Sequence, residues 1–222
     1  GTIHRATPVQ RIVRHAQGVE VHTGRGPAQR FDQVVIATHA DTALRLLGDA
    51  TPAEREALGA FRYSVNRTVL HTDARLLPKN PRAWAAWNAH IPASPSADCT
   101  VSYCMNLLQG LTSREPFVVT LNRSHAIDPA RVLRRMHYRH PVYDHAMVAA
   151  QRRRQEIQGQ RRTWFAGAYW GWGFHEDGIR SARDVVDAIQ ALPVEAPAPA
   201  GTSDDSDDRP TRTYSRAATS AP

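Results

Sequence analysis

The stretch Thr163–Ala182, TWFAGAYWGWGFHEDGIRSA, decides how the chain folds. Thr163–Ala166 is a short apolar run suited to a buried strand. Gly167–Phe174 alternates glycine with aromatic residues, as a loop does. From Asp177 an amphipathic helix is predicted, with Asp177 as cap and Gly178 allowing close backbone approach. Ile179, Ala182, Val185, Val186, Ile189 and Leu192 recur at helical spacing and predict one apolar face. A strand that meets a helix N-terminus through a glycine loop turns backbone N–H groups toward a ligand. The positive end of the helix dipole favours electron-rich groups such as phosphates and ring carbonyls. The amides of Gly178, Ile179 and Arg180 either meet a cofactor in this way or simply open a capped surface helix. Tyr169, Trp170, Trp172 and Phe174 either wall a flat ring system or pack onto their own domain.

Working outward, the opening of the chain reads as short strands. Val9–Arg14 places Val9, Arg11 and Val13 on one side and Gln10, Ile12 and Arg14 on the other. A turn at Ala16-Gln17-Gly18 leads to Val19–Thr23, giving a hairpin. Phe31–Thr38, FDQVVIAT, is continuously apolar at Val34–Ala37, as in a parallel strand covered on both faces. Asp41 is expected to cap a helix over Thr42–Leu47. Thr51-Pro52-Ala53-Glu54 is a helix start with Thr as cap, Pro in the first turn and Glu three residues on, and that helix ends near Gly59. In the middle, Tyr63–Thr72, Ala83–Ala89, Thr100–Leu107 and Pro116–Asn122 read as strands of a mainly antiparallel sheet. Asp128-Pro129 starts a short helix to about Arg134, Met136–His140 is a further strand, and Asp144 caps a helix from His145 to about Gln155. The class is therefore mixed α/β and α+β. Residues 193–222 hold almost no apolar bulk and are expected to be a disordered tail.

The 222 residues include 41% hydrophobic side chains, enough for a core, and no apolar run approaches the ~18 residues of a membrane span. The net charge is +7 and the isoelectric point about 10.1. Nucleic-acid binding is one explanation of such a charge. However, Lys79 is the sole lysine, and the arginines read as spread along the chain by codon bias. Only Arg152–Arg154 with Arg161 and Arg162 form a dense cluster. Cys99 and Cys104 make no CxxC pair and would point to opposite faces of a strand, so neither a disulfide framework nor a zinc site is expected, and a cytoplasmic setting fits. His175-Glu176-Asp177 resembles a ligand set but lacks the i, i+4 histidine pair of a helical zinc site. No metal is expected. No G-x-S-x-G and no dinucleotide glycine fingerprint occur, and Lys79 sits in the turn Pro78-Lys79-Asn80-Pro81.

The order Thr7-Pro8-Val9-Gln10-Arg11-Ile12, Gly18-Val19-Glu20-Val21, Phe31–Thr38, Ala166-Gly167 and Gly178–Ala182 resembles the C-terminal part of the flavin-dependent amine oxidase superfamily. More narrowly, Leu70–Asn88 (LHTDARLLPKNPRAWAAWN), YDHAMVAAQ and AGAYWGWGFHEDGIRSA are similar to a bacterial branch of NAD/FAD-binding oxidoreductases, related to the flavoprotein-like region of some plant cyclopropane fatty acid synthases. The resemblance covers roughly residues 1–192. It implies a FAD-binding doubly wound domain, residues 1–60 and 141–192, interleaved with an antiparallel-sheet substrate domain, residues 61–140.

It also implies cofactor contacts at Val9, Ala37, Thr38, Gly167, Ala168, Gly178 and Ile179, and more weakly a substrate pocket at Tyr169, Trp170 and Trp172. Many members carry an acidic residue where Ala168 stands. The implied activity is hydride transfer from a substrate carbon to FAD, and no catalytic base is named. The substrate is a small molecule, an amine by superfamily analogy, or lipid-linked by the plant association. Because the chain opens at Gly1 inside a strand and lacks the glycine fingerprint, a fragment is expected, one that alone binds FAD weakly or not at all and is inactive. The competing expectation is a basic binding protein that contacts RNA or an acidic partner through Arg152–Arg162.

Overall fold

The computed structural model describes residues 1–91 and 100–193. In chain order the strands and helices are β1 (Val9–His15), β2 (Gly18–Thr23), β3 (Gln29–Phe31), β4 (Val34–Ile36), α1 (Ala40–Leu46), α2 (Pro52–Gly59), β5 (Tyr63–His71), β6 (Trp87–Ala89), β7 (Val101–Cys104), α3 (Met105–Gln109), β8 (Val118–Leu121), β9 (Val132–Pro141), α4 (His145–Arg152), β10 (Thr163–Phe165) and α5 (His175–Gln190). They divide into two compact units: Gly1–Arg62 together with the chain from Pro141 onward, and Tyr63–His140. The predicted tail, apart from Pro193, lies outside the described residues, as does Cys99.

The first unit is mixed α/β. β1, β2 and β3 form an antiparallel three-stranded sheet, and β4 pairs in parallel with β10, Val34 opposite Thr163 and Ile36 opposite Phe165. Ile12 and Val19 bury the inner face of the hairpin. The apolar run FDQVVIAT is shorter as a strand than expected. Ile36 is buried, but Val35, on the opposite face of β4, is 43% exposed, since that face is uncovered among the described residues. α1 starts at Ala40, so Asp41 lies in its first turn rather than capping it. α2 begins as predicted: Thr51 Oγ1 accepts from the Glu54 N–H, and Glu54 Oε2 accepts from the Thr51 N–H at 2.7 Å. The Asp144 cap on α4 is also present, accepting from the Met147 N–H. α4 ends at Arg152, and Arg154–Glu156 continues as a 3-10 turn.

Arg14 holds these pieces together. Its side chain is fully enclosed and donates to both oxygens of buried Glu54, to Asp49 Oδ1 at 3.0 Å and to the Asp49 carbonyl at 2.9 Å. Burial opposes its charge, yet Glu54 and Asp49 together push its pKa above the ordinary arginine value.

The second unit is a five-stranded sheet in the order β6-β7-β8-β5-β9. β6 with β7, β7 with β8 and β5 with β8 pair antiparallel. The predicted strand Thr100–Leu107 stops at Cys104, and Met105–Gln109 turns instead into the short α3, closed by Gly110 in the left-handed region at φ 63°. Ala83–Ala89 is a strand only at its end, since Pro81–Ala83 makes a 3-10 turn capped by Asn80. Asp128-Pro129 likewise gives a 3-10 turn to Arg131 in place of a helix, and β9 begins at once. Two apolar clusters cover the sheet: Val69, Leu76 and Ile127, and Leu77, Cys104 and Val118. Between them runs a buried polar chain, His71 Nε2 to Thr120 Oγ1 at 2.8 Å and Thr120 Oγ1 to Ser102 Oγ at 2.8 Å.

The basic residues are spread along the chain as expected, but the acidic ones are not, so the net charge is uneven. The unit Tyr63–His140 holds ten basic and four acidic residues, whereas the rest of the chain holds eighteen and seventeen.

Candidate functional site

β4 and β10 run side by side and stop together, and the Ala166 N–H still donates to the Ile36 carbonyl at 3.2 Å. Beyond this last rung the chain passes into Ala37-Thr38 on one strand and Gly167-Ala168 on the other. A helix follows each, α1 and α5. The carboxyl ends of parallel strands, where helix N-termini converge, form the crevice in which α/β proteins bind ligands. Four of the residues singled out from the sequence therefore come together. Ala37 is exposed, and Thr38, Gly167 and Ala168 are half-buried. Gly178 joins them: a Cβ built on it would stand 3.9 Å from Ala168 Cβ, so the first turns of α5 rest on Ala168. Val9 lies elsewhere, opening β1 opposite Thr23 in the three-stranded sheet. Ile179 is 59% exposed.

The helix starts earlier than its sequence suggests. α5 opens at His175, and the Gly178 N–H already donates to the Phe174 carbonyl at 3.2 Å, within the helix. The amides that precede this first intrahelical bond are those of His175, Glu176 and Asp177. Asp177 is thus the third helical residue, and its carboxylate reaches back. Oδ2 accepts from the Trp172 N–H at 2.9 Å and the Phe174 N–H at 3.1 Å, and Oδ1 meets Arg180. Burial pushes against ionisation of Asp177, but these amides and Arg180 outweigh it and hold its carboxyl below the usual range. Trp172 through Glu176 are all exposed, while the Asp177 carboxylate is buried against the Trp172 and Phe174 amides that lead into the helix.

The apolar face of α5 is rotated from the one predicted. Val185 is buried with Trp164 and Ala166, flanked by Ala182, Ala188 and Ile189, while Val186 is 46% exposed. Buried Ser181, one turn before Val185, belongs to this face. Its Oγ accepts from the Gly167 N–H at 2.9 Å and donates to the Gly178 carbonyl at 2.8 Å. Gly167 therefore offers its amide to Ser181 and not to the crevice.

The aromatic loop has two halves. Tyr169 and Trp170 are buried and pack edge-on against Phe61, with centroids 4.8 and 5.2 Å away. Trp172 and Phe174 are 62% and 64% exposed, and Trp172 leans on Tyr143 at 5.7 Å. The glycines between them are set by internal packing. A Cβ at Gly167 would meet the Tyr169 ring at 2.3 Å, and one at Gly171 would meet Asp177 Oδ1 at 2.2 Å. Gln151 Nε2 pins the loop through the carbonyls of Tyr169 and Gly171, and Gln158 pairs with both the N–H and the carbonyl of Phe165. Sequence reasoning missed Ser181 and Gln151, although each lies one turn from a buried residue, Val185 and Met147, on the same helical face.

Four of the five arginines of the cluster are engaged within their own unit. Arg153 pairs with Glu56 and Glu156, Arg154 with Asp184 and over the Trp170 ring, and Arg161 with Asp49, while Arg162 donates to the Ala16 carbonyl. Among the described residues no group of three or more His, Cys, Asp or Glu is placed to hold a metal, and no helix is long and apolar enough to cross a membrane.

No family model matches this chain, and no curated protein does. Solved structures do match in fold. A protein assigned as a protoporphyrinogen oxidase from Exiguobacterium sp. 255-15 aligns with a TM-score of 0.56 at 15% identity, over 83% of this chain and 46% of its own. The CLA-producing fatty acid isomerase from P. acnes aligns at 0.56 and 15%, over 82% and 47%. A putrescine oxidase redesigned in its cofactor binding aligns at 0.55 and 10%, over 84% and 49%. The chain spans just under half the length of each.

Proposed function

We propose that this chain is the C-terminal part of a FAD-dependent oxidoreductase of the amine-oxidase type. The fold it shares with oxidases supports the class. The observation that carries the proposal is the exposed first turn of α5 beside the paired ends of β4 and β10. The donor set fits a flavin: unpaired helix amides suit an electron-rich carbonyl edge, and a helix dipole stabilises negative charge there. In this assignment the unit containing α5 holds the cofactor. Ala37, Thr38, Ala168 and Gly178 form its walls, and the amides of His175 and Glu176 take the part first given to Gly178 and Ile179. Val9 contributes through the backbone of β1. Trp172 is the aromatic left to face a substrate, because Tyr169 and Trp170 are used in the core. Tyr63–His140 is the substrate unit. When bound, the flavin supplies a two-electron acceptor for hydride from a substrate carbon. This chain supplies orientation, and Asp177 keeps the Trp172–Phe174 loop in place. The glycine fingerprint for the pyrophosphate is absent from these residues, so its site is assigned to chain beyond them.

The test is to express the chain with its upstream coding sequence and record the visible spectrum, with and without added FAD. Flavin bands that stay with the protein through gel filtration are expected. A colourless protein that takes up no added FAD overturns the proposal.

A further inference from the structure

β9 is the terminal strand of its sheet and the longest strand among the described residues. It reads VLRRMHYRHP, with no proline before its last residue, and spans roughly 33 Å at the usual strand rise. It is tied to β5 at both ends. The Thr72 N–H donates to the Arg131 carbonyl at 3.0 Å, and Asn66 Nδ2 donates to His140 Nδ1 at 2.8 Å. The outer edge is left without a neighbouring strand among the described residues, and an edge of this length is a template for another chain.

Its side chains state which chain. Val132 packs on the core, but Leu133, Arg134, Arg135, His137, Tyr138 and Arg139 are exposed. Among the described residues neither Arg134 nor Arg135 meets a carboxylate, and they stand in the unit that carries nearly all of the protein's net positive charge. Like charges placed opposite one another across a strand pair are destabilising, so pairing of β9 with a second copy of itself is disfavoured. An acidic strand meets the opposite condition.

We infer that the outer edge of β9 is a docking strand for an extended acidic segment of another protein, held by main-chain hydrogen bonds and selected by Arg134 and Arg135. Leu133 and Tyr138 offer apolar contacts on the same strand. A strand partner fits better than a nucleic acid, because only a polypeptide can extend the ladder of a terminal strand as well as meet the guanidinium groups.

The probe is a fluorescein-labelled peptide of alternating Glu and Val, titrated into the full chain and followed by anisotropy. Binding is expected to weaken about tenfold in the Arg134→Glu, Arg135→Glu variant and to stay unchanged in Arg82→Glu, Arg123→Glu, which alters charge elsewhere in the unit. The same peptide N-methylated at alternate residues, which cannot complete a ladder, is expected to lose binding to the unaltered protein. That arm does not depend on any variant folding. Equal binding of the N-methylated peptide, or displacement of the acidic peptide by a single-stranded oligonucleotide with higher affinity, overturns the inference.

Discussion

Arg14 is enclosed on all sides, and its guanidinium has Glu54 and Asp49 in place of water. Removing one partner of a buried pair strands the other charge, which costs more than the pair itself contributes. Glu54→Ala is therefore expected to lower unfolding stability by about 3 kcal/mol. The double variant Arg14→Met, Glu54→Leu is expected to lose less than the single one, as measured by urea unfolding. Gly173 is a second such residue. It sits at φ 87°, and a Cβ there would come within 2.2 Å of the Tyr143 hydroxyl. Gly173→Ala combines a left-handed backbone with that clash and is expected to cost about 1–2 kcal/mol in thermal unfolding. Trp172 fluorescence should change as Tyr143 is displaced. At this scale the sequence shows a glycine–aromatic alternation but not its cause. Whether each glycine yields space to a ligand or to Tyr143, Tyr169 or Asp177 depends on contacts that no local pattern contains.

Elements were legible where their signals were local. The Thr51–Glu54 capping box and the Asp144 cap were both readable, because their hydrogen bonds join residues three apart. The start of α5 was misplaced because Asp is a strong capping residue. At Asp177 its carboxylate does bind loop amides, but from inside the first turn. α3 was read as strand because MNLLQ is too short to show a helical period. β9 was partly read, while the burial of Arg14 was invisible from a partner forty residues away. Across β5, β8 and β7 the chain His71–Thr120–Ser102 has a consequence in pH.

His71 is fully buried. Its Nδ1 accepts from the Asp73 N–H at 3.1 Å, which leaves the proton on Nε2 for Thr120. Burial depresses its pKa, against a smaller opposite pull from Asp73. The Arg75 guanidinium pairs with that carboxylate, and the Asp128 backbone N–H donates to it at 2.9 Å. With the folded value below the unfolded one, near 6.5, the unfolded chain binds more protons in between. Stability from this site is full above about pH 6.5 and falls as the pH drops toward the folded value. The His71→Gln variant should show a flatter stability profile between about pH 7.5 and about pH 5.5 than the unaltered protein. A profile as steep as that of the parent would assign the slope to other groups.

For the whole molecule, the antiparallel character of the middle segment was visible in its runs of short strands. The gathering of charge there was not, since an average over the chain hides it. Each unit has its own core, Val69 and Cys104 in one, Trp164 and Val185 in the other. Hydrogen exchange should therefore report them separately: Glu54→Ala is expected to deprotect β10 and α2 while β5 and β8 keep their protection.

Where the chain leaves the first unit and comes back, it does so through one doorway. The Val142 N–H donates to the Arg62 carbonyl at 2.8 Å, and the Arg62 side chain pairs with Asp144 at 2.6 Å. Both ends of the intervening segment are thus already stitched to each other by residues that do not belong to it. Cutting out Tyr63–His140 and bridging the gap with a short glycine link should leave a folded remainder, and different inserts could be exchanged at the same seam without rebuilding the host.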